Sequence, residues 1–385
     1  MPHRLIEPAE FKLGGGENTM SSAIRAILAL AAVLGIAASV PEGGQEKVQA
    51  GQPPIASGYK VLEPISHGRL AIFPIVTAAM HDTRQFLTLD EGLTSGEVQV
   101  TEAGAIRPLM RRPRSRPVPQ QDSAEVNRLV LVNHSSRPLL LLAGEIVTGG
   151  KQDRVVGKDR IIPPNSDPVD LSVFCVEPGR WAEKTATFGA LQGQMAQPSV
   201  RSKAMGDKDQ NKVWEEVRKS NEGMIANAPA SERAALGGMS SYAGVADHRE
   251  VKRQVDEVAG ALLTSHDKVL RQLRAQNAVG VVVAVNGRII WADVFASSSL
   301  LEKYWAKLVR SYAAEAISSY GAHGGAGVKQ AQAFLDDWDG SRQVVETEPG
   351  VFRHTEISGS GYRAFELASL LPKTGFDVHL SKMAE

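Results

Sequence analysis

The chain has 385 residues, of which 43% are hydrophobic, and this is enough to form two or three hydrophobic cores. Its 43 basic and 43 acidic residues cancel, so no overall field draws the protein to nucleic acid or to anionic lipid. Length, composition and charge therefore predict a globular protein and exclude a general binder of nucleic acid or membrane surfaces.

Residues 20–50 have the pattern of an export signal followed by a spacer. A short basic region, 20–25, precedes an apolar stretch, 26–38, that is too short to span a bilayer comfortably. Small residues then satisfy the cleavage rule after Ser39 and after Ala50. The segment predicts a periplasmic or secreted protein that contacts the membrane only through an uncleaved signal. The alternative is an N-terminal membrane anchor or an ordinary apolar helix.

Residues 1–19 do not fit this signal, because they carry charges and the glycine run Gly14–Gly16 but no apolar core. We predict that Met20 is the true start and that 1–19 is a mis-assigned start. The chain has one cysteine, Cys175, which cannot form an internal disulfide and leaves the redox compartment open.

The first half of the domain has the pattern of short strands separated by glycine, proline and asparagine. Such a pattern is typical of a β-sandwich or a barrel-like sheet. The turn Asn133–Pro138 lies between two apolar runs, 129–132 and 139–142, and predicts that they form a hairpin. Further strands are predicted at 71–76, 86–89, 98–101 and 169–176.

In the second half, helical patterns alternate with strands. Apolar residues spaced three and four apart predict amphipathic helices around Val213–Val217 and over Glu250–Leu263. The intervening segment 227–244 is rich in small residues and predicts a mobile loop. Asn286–Gly287 predicts a tight hairpin over 279–295, because both turn residues must accept positive φ.

A long helix is predicted over Leu300–Tyr320, with the serines 297–299 as candidate N-caps. From their helical spacing, we predict that its aromatic residues are buried in the core rather than exposed at an oligomer interface. The sequence leaves the oligomeric state open. We predict that the glycine run 321–327 is a linker. The alternative is that it binds phosphate at the start of the next helix. A shorter helix ending at Trp338 and a strand-like tail, Val344–Leu371, follow. The aromatic residues of the long helix are Tyr304, Trp305 and Tyr312.

These elements predict an α+β fold. It consists of an N-terminal β-sandwich or barrel-like sheet with amphipathic helices and a second β-hairpin/helix unit. The predicted domain covers 60–371, with a β-rich half at about 60–182 and an α/β half at about 190–371.

Motifs for metals and cofactors are missing from the sequence. The nine histidines show none of the close spacings typical of metal ligands, and no phosphate loop, dinucleotide fingerprint or nucleophile elbow is found. We therefore predict no metal and no cofactor. Cys175 lies in a segment where apolar and polar residues alternate, so we predict that its side chain packs as a small hydrophobic group. The alternative is that it acts as a nucleophile.

Charged residues are concentrated at the ends of two apolar strands. Glu145 follows the run 139–142, and Glu177 follows the segment 169–176. If these strands are neighbours, the two carboxylates approach each other, and their repulsion raises one pKa and creates an acid/base pair. Glu145 and Glu177 are therefore the candidate catalytic residues.

The same segments supply candidate ligand-binding residues. Lys151, Arg154 and Arg180 are suited to phosphate or carboxylate, and Gln152 is suited to orienting a sugar hydroxyl. The alternative is an internal ion-pair cluster in which the two glutamates pair with the arginines. The candidate ligand-binding residues are Lys151, Gln152, Asp153, Arg154, Arg180 and Trp181.

A family resemblance rests on these motifs. The runs Gly144–Arg154, Pro163–Ser166 and Cys175–Trp181 resemble the ARG and rhodanese-phosphatase-superfamily-associated protein domain family. The later run Val285–Phe295 and the helix that follows are similar to the second half of that family. The resemblance covers about Ser66–Leu371.

The family name implies a genomic association with ADP-ribosylglycohydrolases, so the resemblance suggests a phosphosugar or nucleotide-like small molecule as the partner. Our first hypothesis is an exported ligand-binding domain that uses the Glu/Lys/Gln/Arg cluster. The alternative is an enzyme that hydrolyses or transfers an ADP-ribose or phosphoribosyl-type substrate. The enzyme requires the polar side chains to converge on an open cleft.

Overall fold

The structure is a computed structural model that describes residues 58–102, 128–179, 185–263, 273, 275–321 and 324–385. The predicted export segment, Arg180 and Trp181 lie outside the described residues. Within the described ranges, no helix is long and apolar enough to cross a membrane. The fold is α+β, as predicted, and its described strands form a nine-stranded, a six-stranded and a three-stranded sheet.

The strands and helices are numbered in chain order. The strands are β1 (Lys60–Val61), β2 (Ile65–His67), β3 (Leu70–Val76), β4 (Leu87–Thr88), β5 (Val98–Glu102), β6 (Arg128–Asn133), β7 (Leu139–Leu141), β8 (Glu145–Thr148), β9 (Arg154–Val156), β10 (Arg160–Ile162), β11 (Val169–Cys175), β12 (Gly189–Met195), β13 (Ala278–Val285), β14 (Arg288–Phe295), β15 (Gly340–Glu348), β16 (Phe352–Gly359), β17 (Tyr362–Ser369) and β18 (Asp377–Ala384). The helices are α1 (Leu89–Ser95), α2 (Pro198–Ser202), α3 (Gln210–Ala226), α4 (Ala230–Gly237), α5 (Tyr242–Ala246), α6 (Arg249–Leu263), α7 (Ser298–Ser318) and α8 (Val328–Asp336), and a π-helical turn (Lys203–Asp207) follows α2.

The six-stranded sheet is a nearly closed antiparallel barrel with the order β12-β8-β9-β11-β6-β5. Its two edges meet, because Thr101 bridges Thr187 and the Phe188 amide donates to the Val100 carbonyl at 3.0 Å. The barrel interior is apolar and includes Leu131. This sheet confirms the predicted barrel-like N-terminal half.

The predicted hairpin of residues 129–132 with 139–142 is wrong. β6 pairs with β5 and β11, whereas β7 pairs with β4 and β10 in the three-stranded sheet. The Asn133 side-chain amide donates to the carbonyls of Arg137, at 2.8 Å, and Pro163, at 3.0 Å. These bonds hold the turn open and carry the chain to another sheet. Periodicity could not reveal this, because a mostly buried apolar run does not identify its partner.

The nine-stranded sheet is antiparallel, has the order β1-β3-β13-β14-β18-β17-β16-β15 and has β2 attached to β3. It combines strands from both ends of the described chain. β13 is buried on both faces, because one face lies against the main core with α7 and the other against α8. Asn286 and Gly287 form its predicted hairpin turn with φ of +54° and +78°. The final strand, β18, was not predicted and lies in the middle of this sheet.

The helices α3, α6 and α7 confirm the predicted helical segments and pack around the main core. The Ser297 hydroxyl caps α7 by accepting from the Leu300 amide at 3.1 Å. The aromatic residues Tyr304, Trp305 and Tyr312 are buried within the chain, as predicted.

The segment 227–244 is not the irregular loop that was predicted, because it contains α4 and the start of α5. Alanine favours helix strongly enough to offset the small polar residues around it. Tyr242 is buried and receives a hydrogen bond from the Gln197 amide at 3.1 Å, which ties the segment to the core.

Candidate ligand-binding site

The two candidate catalytic glutamates do not share a site. β9 lies between β8, which begins at Glu145, and β11, which precedes Glu177. The Glu145 carboxylate is buried and accepts from Lys307 Nζ at 2.7 Å and from the Leu142 amide at 2.9 Å. Burial raises the pKa of Glu145, although Lys307 opposes the shift. Glu177 instead accepts from the Asp153 amide at 3.4 Å.

The candidate ligand-binding residues around Arg154 come together at one end of the barrel, where they bond to one another. Arg154 Nη1 donates to the Gln152 carbonyl at 2.6 Å, and Nη2 lies 3.8 Å from Glu102 Oε1. Asp153 Oδ2 accepts from the Ser241 hydroxyl at 3.3 Å. These contacts make the cluster a tie between the barrel and the helices. Its buried members are Gln152, Asp153, Arg154 and Glu177.

Lys151 is half-buried, and its amide donates to Glu102 Oε1 at 3.0 Å. The structure therefore brings Lys151–Arg154 and Glu177 together, as the sequence indicated, but places Glu145 elsewhere. Cys175 is buried in β11, and burial raises the pKa of its thiol, in accord with a packing role.

A second buried polar network was not predicted. Arg201 Nη1 and Nη2 bind Asp293 at 2.9 and 3.0 Å, and the Tyr312 hydroxyl also donates to Asp293. His379 Nδ1 lies 2.6 Å from Asp159 Oδ2, and Nε2 lies 3.2 Å from Asp293 Oδ1. All five side chains are fully buried. They come from the barrel turn after β9, from α2, β14 and β18, and from α7.

Charge pairing dominates this network. Burial alone would raise the pKa of Asp293, but Arg201 and His379 hold it far below its usual range. Burial alone would lower the pKa of His379, but Asp159 and Asp293 raise it to about 9. The network is therefore ionised at neutral pH and joins the barrel to the nine-stranded sheet. No group of three or more metal-ligating side chains is found among the described residues.

A half-enclosed cavity of about 260 Å³ lies beside this junction. We call it the His354 cavity. Its walls are formed by the turn between β9 and β10, the strand β11, the π-helical turn with Lys208 after it, and the strands β15 and β16. The lining residues are Gly157, Lys158, Ser172, Phe174, Ala204, Met205, Lys208, Val345, Glu346 and His354.

His354 is the most unusual lining residue. It is 2% exposed, and neither ring nitrogen has a hydrogen-bond partner among the described residues. Burial lowers the pKa of His354, although Asp159 opposes the shift, so the ring is neutral at pH 7. His354 pairs across strands with Leu367, which pairs with His379, so both histidines lie on one face of the sheet.

The cavity wall also contains irregular backbone. The π-helical turn supplies Ala204 and Met205, and π-helical turns are frequent at functional sites. Lys208 follows it with a φ of +53°, an uncommon conformation for a residue other than glycine. Lys208 Nζ donates to Glu356 at 2.7 Å. On the opposite wall, Lys158 pairs with Glu346.

A larger and more open cavity of about 430 Å³ includes Arg69, Arg253 and Gln254. Arg253 already donates to Glu250 and Glu257 through all three guanidinium nitrogens. This cavity is therefore a weaker candidate for a ligand site than the His354 cavity, because it is more open and the guanidinium of Arg253 already has hydrogen-bond partners.

Sequence reasoning missed His354 because it has no metal-type spacing and no motif around it. Its lack of partners depends on the barrel turn and on the π-helical turn, which are distant in sequence, as well as on the neighbouring strand β15. The alternating pattern of β16 was the only available signal, and alternation shows the face of a residue but not its neighbours.

Residues 58–383 match the family model of the ARG and Rhodanese-Phosphatase-superfamily-associated Protein domain, which confirms the resemblance found in the sequence. No curated protein and no solved structure matches the chain. Because the family model spans most of its length, the chain belongs to the ARG and Rhodanese-Phosphatase-superfamily-associated Protein domain family.

Proposed function

We propose that this domain binds a small molecule in the His354 cavity. The observation that carries the proposal is His354 itself, buried in the cavity wall without a hydrogen-bond partner among the described residues. A buried polar group left unsatisfied costs about 1–3 kcal/mol, and a bound ligand would recover part of that cost. A neutral imidazole offers one donor and one acceptor to such a ligand.

The cavity volume limits the size of this ligand. Sites for drug-sized molecules measure roughly 300–1,000 Å³, and the His354 cavity, at about 260 Å³, lies just below that range. A compact metabolite fits better than a whole nucleotide sugar. The ADP-ribose association implied by the family name makes ribose 5-phosphate the first compound to test.

The proposal places neither binding nor catalysis in the cluster around Arg154. An enzyme that acts on a phosphosugar needs an open cleft, whereas Gln152, Asp153, Arg154 and Glu177 are buried and bonded internally. We assign these residues a structural role. The enzyme hypothesis therefore has no supporting geometry in the cluster from which it arose.

We also propose that the protein is exported, on the basis of the basic and apolar segments within 20–38. The test is the N-terminal residue of protein recovered from cells. Processing at the predicted sites gives Val40 or Gly51 as the first residue, and an intact Met1 or Met20 in the cytosol contradicts export.

Thermal-shift measurements test the ligand site. The compounds are ribose 5-phosphate, ADP-ribose, NAD and benzoate at millimolar concentration, and binding at 100 times Kd stabilises the fold by about 2.7 kcal/mol. We expect at least one compound to raise the Tm of the wild type and of the control His134→Phe, which changes an exposed histidine.

His354→Phe should remove that shift while it keeps a cooperative urea transition. A shift that persists in His354→Phe, or the absence of any shift in the wild type, contradicts the proposal.

A further inference from the structure

The rim of the His354 cavity is positively charged, although the whole chain has a formal net charge of zero. Lys158, Lys208 and Glu346 line the cavity, and two further charges pair with them, Arg160 with Glu346 and Glu356 with Lys208. These three cations and two carboxylates leave one net positive charge. A partly enclosed cleft with one sign of charge focuses the field and raises the local concentration of ions of opposite sign.

The next group of charges along the π-helical turn contains both signs. Asp207 contacts Lys203, Lys212 and Arg363, and Arg363 also pairs with Glu385. These contacts pair the cations and the carboxylates of this group with one another.

The lysines at the rim keep donors for a ligand. An ammonium group has three N–H donors, and the bond from Lys208 to Glu356 occupies one of them. Lys158 is held in the same way by Glu346 of β15. The two glutamates thus position the lysines and leave donors for an incoming anion.

The inner wall of the cavity is apolar. Phe174, Ala204, Met205 and Val345 line it, and methionine adapts easily to the shape of a bound group. A fully polar ligand would lose hydration against this wall and could regain hydrogen bonds there only at His354 and Ser172.

We infer that the His354 cavity takes a compact organic anion, in which a carboxylate or phosphate group meets Lys158 and Lys208 and an apolar body lies against Phe174 and Met205. This inference rests on the proposed function and narrows it to one chemical class. The surplus of positive charge at the rim favours an anionic group on the ligand. The small, mostly apolar interior favours an apolar body.

Isothermal titration calorimetry of the full chain at low salt tests the inference with benzoate, phenyl phosphate and the neutral benzamide. We expect benzoate or phenyl phosphate to bind at least about tenfold more tightly than benzamide, because only the anions interact with the lysines. The preferred anion distinguishes a carboxylate ligand from a phosphate ligand.

Charge-reversal variants complete the test. Lys208→Glu should weaken anion binding roughly tenfold or more and leave benzamide binding within about twofold. The matched control is Lys329→Glu on α8, which lies on the other face of the nine-stranded sheet and should not alter binding.

Two outcomes separate this inference from the proposed function. If benzamide binds as tightly as benzoate and His354→Phe abolishes both, the cavity is a ligand site but the anion inference is wrong. If His354→Phe leaves the binding of every probe unchanged, or no probe binds, both are wrong.

Discussion

Asp293 is the central residue of the buried network, because Arg201, Tyr312 and His379 all contact its carboxylate. Asp293→Asn would leave Arg201 as an uncompensated buried charge. We expect a loss of about 3–5 kcal/mol in the free energy of unfolding, measured by urea denaturation.

The matched control is Asp256→Asn, which breaks a partly exposed aspartate–arginine pair with Arg310. We expect this change to cost less than about 1 kcal/mol. Equal losses in the two variants would show that the buried network is no more important than a surface pair.

The pKa of His379 makes the free energy of unfolding depend on pH. Burial opposes its protonation, but Asp159 and Asp293 raise its pKa from 6.5 to about 9. A raised pKa in the folded state gives a contribution that is fully present below pH 6.5 and is lost as the pH rises through about 9. Urea denaturation at several pH values should therefore show a decrease in wild-type stability between pH 6.5 and 9.5.

Other groups titrate in the same interval, so the comparison must be made with His379→Gln. Asp377 has a pKa raised to about 8 and Lys382 a pKa lowered to about 8, and both remain in the variant. The difference in stability between wild type and His379→Gln should shrink as the pH rises. A constant difference would show that His379 is not protonated in the folded protein.

At the level of elements, the β13–β14 hairpin depends on a close contact of its turn. Gly287 has a φ of +78°, and an added Cβ would lie 2.2 Å from the backbone carbon of Gly324. Gly361, in the β16–β17 turn, has the same φ with open space around it.

We therefore expect Gly361→Ala to cost about 1–2 kcal/mol from the left-handed conformation alone. Gly287→Ala should cost at least about 1 kcal/mol more, because the backbone of Gly324 has to move. Urea denaturation of the two variants measures the difference. Equal costs would mean that the turn does not pack against Gly324 as described.

These elements also show what the sequence can and cannot predict. The Asn286–Gly287 turn and the Ser297 cap were predictable, because each depends on local conformational preferences. The partner strands of β6 and of β7 were not predictable, because the tertiary contacts of Asn133 determine them. β18 was missed although the turn residues Pro372 and Gly375 precede it, because half of its residues, including His379 and Lys382, are polar or charged.

The candidate site follows the same division. The sequence grouped Lys151–Arg154 with Glu177 as strand-end residues, and they do meet, because Arg154 begins β9 and β9 pairs with β11, which ends just before Glu177. The partner of Glu145, Lys307, lies on a helix 162 residues away, and sequence spacing gave no sign of it. The His354 cavity likewise depends on segments far apart in sequence, and only the fold brings together the β9–β10 turn, β11, the π-helical turn and the β15–β16 hairpin.

At the scale of the molecule, the barrel and the nine-stranded sheet meet at the turn between β9 and β10. Asp159 of this turn reaches His379 of the sheet, and the adjacent Lys158 lines the His354 cavity. One turn therefore supplies both the buried tie between the two sheets and one wall of the proposed site. Ligand binding should consequently stabilise the contact between the barrel and the sheet.

NMR of the protein labelled with ¹³C in its methionine methyl groups tests the ligand site most directly. Met205 lines the His354 cavity, whereas Met224 is buried in the core along α3, and Met205→Leu assigns the resonance. On titration with benzoate or phenyl phosphate, we predict a saturable shift of the Met205 methyl resonance and none for Met224. A Met205 resonance that stays in place at saturating ligand, or moves no more than that of Met224, would contradict ligand binding in the His354 cavity.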